Sequence, residues 1–261
     1  VNAELSVCVI ERSDSRNLRL SPIELEEVLG TMRCRTEVLS VSFDPMRNAD
    51  ARGTPLPRPR GYRAALAAAL QQSSGEYVVT TDSFLAHDLH FLLNFWALRE
   101  KPDLAIASRF APGGIYRAGL ARRVAARWVN RFARRVLSLP YYDLTSAFRM
   151  YRRAALAEAL EHGNSPGYEF LAESLVHLHG LGRAIEEIPF VSRHSPADPI
   201  NVPGGEVAGL INNTVNFTGA AGVGVGSVRV IDRIGARGQV DHESVLGGRL
   251  IVGRRVVGCV A

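Results

Sequence analysis

The sequence predicts an α/β fold built on a mostly parallel sheet, and two observations carry that expectation. Short apolar runs of strand length alternate with helical patterns through the first half of the chain. Asp44, Asp82 and Arg109 each stand at the carboxyl end of such a run, where ligands sit in open α/β sheets. In order, "ELSVCVI" (4–10) is a buried strand. "SPIELEEVLGTM" (21–32) is a helix, with Ser21 as N-cap, Pro22 at the first helical position and acidic residues in the early turns. "EVLSVSF" (37–43) is a second strand, followed by a polar loop rich in Pro and Arg (44–61). "YRAALAAALQQ" (62–72) is an Ala-rich helix, "EYVVTT" the third strand, "DLHFLLNFWALRE" (88–100) a helix and "PDLAIASR" (102–109) the fourth strand.

The second half changes character. Residues 117–137, "RAGLARRVAARWVNRFARRVL", form one long amphipathic helix. Leu120, Val124, Trp128, Phe132 and Val136 make an apolar stripe, and Arg123, Arg127, Arg131 and Arg135 repeat at the same spacing on another face. The arginines fit a solvated face, a helix lying on an anionic membrane, or a phosphate site. "GYEFLAESLVHLHGLG" (167–182) reads as helical and "AIEEIPFVSRHS" (184–195) as a strand ending in arginine. Beyond residue 200 the pattern thins to a Gly-rich tail with short β-like runs at 227–231, 249–252 and 255–260. The expected division is a domain over 1–199 and a C-terminal appendage over 200–261.

The formal charge is +5, and Lys101 is the only lysine. A basic balance made of arginine suits anion handling, because guanidinium grips phosphate bidentately. No basic aromatic strand or recognition helix stands out, so no nucleic-acid partner is expected. Cys8, Cys34 and Cys259 follow no metal or disulfide spacing and are expected as buried free thiols. No apolar run reaches the ~18 residues of a membrane span, and no signal-peptide pattern opens the chain. A cytoplasmic protein is expected, with peripheral contact at the inner membrane face through the arginine helix at 117–135.

A series of segments resembles the family 2 glycosyltransferases of the polyprenyl-phosphate group, the dolichol-phosphate mannosyltransferase-like enzymes. "GYRAALAAALQQSSGEYVVTTD" resembles their "GxGxAxxxGLxxAxGDYVVxMDAD", and "IASRFAPGG" (106–114) their "GSRYVPGG". "ARRVAARWVN" (121–130) resembles "xRRxxSRxAN", and "YDLTSAFRMYRRAAL" (142–156) "xDxTSGFRxYRRxxL". "SPGYEFLAESL" (165–175) resembles "SxGYxFxxExL", and "IEEIPFVSR" (185–193) "IxEVPIxFxxR". The segments keep their order over about residues 4–193.

This resemblance implies a GT-A fold, a nucleotide-sugar donor, a polyprenyl-phosphate acceptor and Mg²⁺ or Mn²⁺ at the donor diphosphate. It implies catalytic roles for Asp82, Arg109 and Glu173, donor binding by Asp44, Gly61 and Asp82, and a metal on Asp82. Arg122, Arg123, Ser146, Arg149 and Arg193 are implied at the acceptor phosphate. Asp143, Thr145 and Tyr168 also match its motifs. Internal salt bridging is the alternative for Arg149 and Arg152, and a structural ion pair the alternative for Glu173.

The donor side departs from the family pattern. "ERSDS" (11–15) stands in place of the family's "PxYNE", and "VSFDP" (41–45) in place of a strand ending in "DDGS". "DSF" replaces "DAD", so Phe84 stands where a second carboxylate is expected, with His87 and Asp88 just beyond. "HSPAD" (194–198) replaces the family's "GKSK"-like stretch. Two readings stay open: a transferase working with one carboxylate, or a non-catalytic relative that binds anionic lipid or a partner enzyme.

Overall fold

The computed structural model describes residues 2–12, 22–43, 60–82, 88–192 and 252–257. Helices flank a seven-stranded sheet of order β6-β4-β5-β3-β1-β2-β7. Strand β1 (Leu5–Arg12) lies between β2 (Thr36–Phe43) and β3 (Tyr77–Asp82), parallel to both. Its run of buried residues suits a strand covered on both faces. β4 (Leu104–Ser108) pairs in parallel with β6 (Ile185–Pro189). β5 (Arg149–Arg152) joins the two halves, antiparallel to β3 and β4. β7 (Val252–Val257) pairs antiparallel with β2 at the other edge. Five of the seven strands therefore point the same way.

Alternation along the strands sorts the core into two layers. Cys8, Ile10, Leu39, Val41, Val78, Leu104, Ile106 and Tyr151 face one side. They pack on α2 (Tyr62–Gln72), α5 (Arg153–His162) and α6 (Phe170–Gly180). Leu5, Val7, Val79, Ala105, Ala107 and Met150 face the other, against α1 (Pro22–Thr31) and α3 (Phe91–Leu98). There Phe91, Phe95, Phe148 and Phe190 form an aromatic cluster with centroids 5.0–5.7 Å apart, edge-on except for the tilted Phe91–Phe148 pair. The long helix α4 (Leu120–Val136) buries only Asn130 and Ala133.

One element was not expected from the sequence, and another, the β-like runs near the C-terminus, finds its place here. β5 is a four-residue strand, RMYR, whose charged ends hide its period. The C-terminal Gly-rich region contributes β7 to the same sheet; the rest of residues 200–261 lies outside the described residues. Cys8 and Cys34 are buried, as expected, and Cys259 lies outside the described residues. Burial, helped by the nearby Glu37 charge, pushes the Cys8 thiol up to about 12 against the opposing pull of Arg153, so it is inert at neutral pH.

Glu37 itself was not singled out in the sequence. It lies buried in β2 and accepts hydrogen bonds from Ser6 Oγ (2.7 Å), Ser74 Oγ (2.9 Å) and the Ser74 N–H (2.5 Å). Gly75 N–H in turn donates to Ser6 Oγ (2.9 Å). The carboxylate thus fixes the turn that feeds β3, whose carboxyl end carries Asp82.

Candidate active site at the carboxyl ends of the strands

Arg109 directly follows β4 and is drawn inward by Asp143, a fully buried carboxylate from the loop after α4. Asp143 Oδ2 accepts from Arg109 Nε (2.8 Å) and the Arg109 backbone N–H (3.0 Å), and Oδ1 from Arg109 Nη2 (2.8 Å). Thr145 adds its N–H and hydroxyl to Oδ1, each at 3.2 Å. Burial by itself would raise the Asp143 pKa. The Arg109 charge and these hydrogen bonds outweigh it and hold the carboxyl below its ordinary range. The guanidinium also lies over the rings of Tyr116 (5.0 Å) and Phe110 (5.4 Å).

The surrounding network locks this pair. Arg109 Nη2 and Asn130 Nδ2 both donate to Thr145 Oγ1 (2.9 and 3.2 Å), and Asn130 Oδ1 accepts from the Leu144 N–H (2.8 Å). Glu187 of β6 accepts from the N–H groups of Tyr142 (2.7 Å) and Asp143 (2.8 Å). Asn130 and Glu187 were not among the residues expected from the sequence. Asn130 had a signal, being the polar residue that closes "ARRVAARWVN" on the side of the helix away from the apolar stripe.

Two residues expected at the acceptor phosphate are placed differently. Ser146 is buried and donates its hydroxyl to the Ala107 carbonyl (2.9 Å). Arg149 is 0% exposed. Its Nε donates to Ser146 O (2.7 Å) and its Nη2 to Leu144 O (2.9 Å). Its Nη1 donates to Leu171 O (2.8 Å), Ser174 Oγ (3.1 Å) and Tyr151 Oη (3.2 Å). The central position of β5 forces this burial, and the guanidinium is occupied by protein acceptors.

Glu173 lies in the first turn of α6 and is nearly buried. It accepts from the N–H groups of Asn164 (2.8 Å) and Ser165 (2.7 Å), with His177 Nε2 at 3.9 Å. Burial acts to raise its pKa, and the nearby His177 together with the two backbone donors brings it below the ordinary value. Glu173 therefore clamps the 164–168 loop. That loop meets Gly61, the N-cap of α2, where the Arg63 N–H donates to Pro166 O (3.1 Å) and Tyr168 stacks on Tyr62 at 4.6 Å. Gly61 has φ +85°, and a Cβ there would run into the Pro166 carbonyl. Gly61→Ala is expected to cost about 1–3 kcal/mol. A urea midpoint equal to wild type would show that the loop yields instead.

Arg122 and Arg123 occupy the first turn of α4, which starts at Gly119 without a side-chain cap and without an acidic residue. Two positive charges there oppose the helix dipole, an arrangement that an anion would relieve. Asp82 ends β3, opposite Ile10 of β1; its side chain lies outside the description. Asp44, Phe84, His87 and Arg193 also lie outside the described residues. Asp88 is described. With Glu24 and His90 it offers ligand atoms within 4.8 Å of one another, Glu24 and Asp88 partly exposed and His90 exposed.

No family model matches the chain. A segment of 89 residues is 35% identical to polyprenol monophosphomannose synthase of Mycolicibacterium smegmatis, covering 33% of this chain and about a third (34%) of that protein. Among solved structures, the chain resembles glucosyl-3-phosphoglycerate synthase from Mycobacterium tuberculosis in complex with UDP. There the TM-score is 0.53 at 17% identity, over 82% of this chain and 80% of the other. The same enzyme with Mn²⁺, UDP-glucose and phosphoglyceric acid gives a TM-score of 0.51 at 17% identity, over 88% and 84%. The strand order, the flanking helices and these likenesses establish the architecture: the chain has the GT-A fold of glycosyltransferase structures.

Proposed function

We propose that the protein is an inverting glycosyltransferase that moves a sugar from a nucleotide-diphosphate donor to a polyprenyl phosphate. The observation that carries this reading is the sequence likeness to a polyprenol monophosphomannose synthase within a chain of GT-A fold. In this reaction an oxygen of the acceptor phosphate attacks the anomeric carbon. The bond from that carbon to the donor's diphosphate oxygen breaks, and the nucleoside diphosphate leaves. The acceptor phosphate is ionised at neutral pH, so the site needs positioning and charge more than a base.

Arg122 and Arg123, at the uncapped start of α4, are assigned to the acceptor phosphate. Asp82 and Gly61 are assigned to the donor side, with Asp44, and Arg193 to closing the site. Arg109 is assigned to holding the 143–145 loop through Asp143, and Glu173 to holding the loop beneath Gly61; both act as positioning residues. A divalent cation such as Mg²⁺ or Mn²⁺, when bound, supplies positive charge to the departing diphosphate. The solved neighbours were crystallised with Mg²⁺ or Mn²⁺ and UDP, and Asp82 is the carboxylate of this chain that would hold such an ion.

The test incubates the purified protein with radiolabelled GDP-mannose or UDP-glucose, Mn²⁺ and a polyprenyl phosphate, and counts label extracted into organic solvent. Asp82→Ala is expected to lower transfer at least about 100-fold. Nucleotide binding is followed in parallel by thermal shift, where a ligand at 100 times its Kd adds about 2.7 kcal/mol. Absence of both lipid-linked label and any metal-dependent nucleotide shift would overturn the reading. Unchanged transfer by Asp82→Ala would overturn the role given to Asp82.

A further inference from the structure

A surface helix is ordinarily held in place by its apolar stripe. Helix α4 is held differently. Its stripe faces solvent, with Leu120 and Trp128 each 68% exposed, Phe132 47% and Val124 45%. From Leu120 to Val129 no side chain of the helix is buried, and Asn130 is the first that is. Ala133 follows, with Val129 and Leu137 partly buried against the core. Just before the helix, the Arg117 N–H donates to Ser192 Oγ (3.0 Å). The N-terminal half of α4 therefore runs from that contact to Asn130 with little apolar burial to fix it.

We propose that Asn130 is a positioning residue for the acceptor phosphate. It ties α4 to the 143–145 loop and so sets where Arg122 and Arg123 stand. Both ends of its amide are engaged. Oδ1 accepts from the Leu144 N–H (2.8 Å), and Nδ2 donates to the Ala126 carbonyl (2.9 Å) and to Thr145 Oγ1 (3.2 Å). The two N–H bonds of the amide thus serve the helix and the loop at once, which fixes rotation of α4 about its axis as well as its height. Thr145 Oγ1 also accepts from Arg109 Nη2 (2.9 Å), so one hydroxyl joins α4 to the Arg109–Asp143 pair. Arg122 stands eight residues before Asn130, about 12 Å along the helix. Over that length a tilt of about 10° moves the first turn by about 2 Å, and a misplacement of about 1 Å can cost ~100-fold in rate. Asn130 touches no substrate in this role and acts through the two arginines. The consequence for the acceptor rests on the proposed transfer; the tie between α4 and the loop does not.

The test uses the full chain with two substitutions. Asn130→Ser keeps a donor for the Ala126 carbonyl but is too short to reach Thr145 Oγ1 and the Leu144 N–H. Asn130→Asp keeps the shape and the acceptor for Leu144 but loses both donors. The first readout is tryptic cutting, at a temperature where the near-UV circular dichroism is that of wild type. Asn130→Ser is expected to be cut after Arg122, Arg123 or Arg127 at least about tenfold faster than wild type, because that half of the helix opens more often. The second readout is transfer to polyprenyl phosphate. KM for that acceptor is expected to rise at least about tenfold, with Kd for the nucleotide sugar within about twofold of wild type. Asn130→Asp is expected to move both readouts in the same direction, and it carries the test should Asn130→Ser fail to fold. A merely structural role would lower Tm and leave acceptor KM per folded molecule unchanged, and that result would overturn the proposal. Unchanged cutting within α4 in both variants would overturn it as well. A wild-type protein that transfers no sugar would overturn the proposed reaction instead, and the rate of cutting would still decide whether Asn130 holds α4.

Discussion

Asp143→Ala is expected to lower stability by about 3–5 kcal/mol, because it leaves the Arg109 guanidinium nearly buried and without its carboxylate. The loss comes from that stranded charge and from the N–H groups of Arg109 and Thr145 that Asp143 satisfies. It does not measure the worth of the ion pair, whose desolvation cost offsets much of its attraction. Two further variants separate these terms. Asp143→Asn keeps an oxygen for part of the network but not the charge, so a smaller loss is expected. Asp143→Ala combined with Arg109→Met removes both charges and is expected to recover part of what the single change lost. Urea unfolding of the set measures this, and a loss under about 1 kcal/mol for Asp143→Ala would mean that Arg109 escapes to water. The pH dependence has a definite sign. Asp143 and Glu173 both have folded pKa values below their ordinary ones. Their contribution is fully present above the ordinary carboxylate range, near pH 4, and is lost as pH falls through the lowered folded values. An acid-side fall in Tm is expected, and Asp143→Asn should reduce its steepness.

Much of the scaffold was legible because the burial pattern of each element is written locally. The runs at 4–10, 37–43, 76–81 and 102–109 became β1 to β4, and the helices at 62–72 and 117–137 lie within a few residues of α2 and α4. β5 escaped because four residues, two of them arginines, carry no readable period. β7 was visible as the short β-like runs at 249–252 and 255–260, but not its pairing, because its partner, β2, lies more than two hundred residues earlier in sequence. In the site, the motif residues Asp143, Thr145 and Arg109 do converge, along with Asn130. What the one-dimensional pattern does not specify is direction. The apolar stripe of α4 was visible as a stripe, but whether it faced core or solvent depended on how the 143–145 loop captures Asn130. The same limit applies to arginine. Arg122, Arg123 and Arg149 look alike as letters, yet two stand on the first turn of a helix and the third fills the interior.

That contrast gives the sharpest separation of structural from phosphate-binding arginines. Arg149→Met is expected to destabilise the fold by about 3 kcal/mol or more. It removes the donors that satisfy the carbonyls of Leu144 and Ser146, and each buried carbonyl left unpaired costs about 1–3 kcal/mol; the Leu171 carbonyl loses Arg149 but keeps the Ser174 hydroxyl. Relief from burying a cation offsets part of this, but the partners seen are carbonyl and hydroxyl oxygens already arranged around it, so the offset is incomplete. Arg149→Lys keeps the charge and loses the planar fork. A single ammonium cannot serve acceptors on opposite edges of that fork, so a loss of about 2 kcal/mol is expected. For both variants, transfer per folded molecule should hold, with KM for the lipid phosphate unchanged. Arg123→Ala should behave in the opposite way, because its side chain is exposed. Its unfolding midpoint should stay within about 0.5 kcal/mol of wild type, while KM for the acceptor rises about tenfold or more through the lost charge-assisted contact. A stable Arg149→Met protein with a raised acceptor KM would return Arg149 to the phosphate site and require β5 to open.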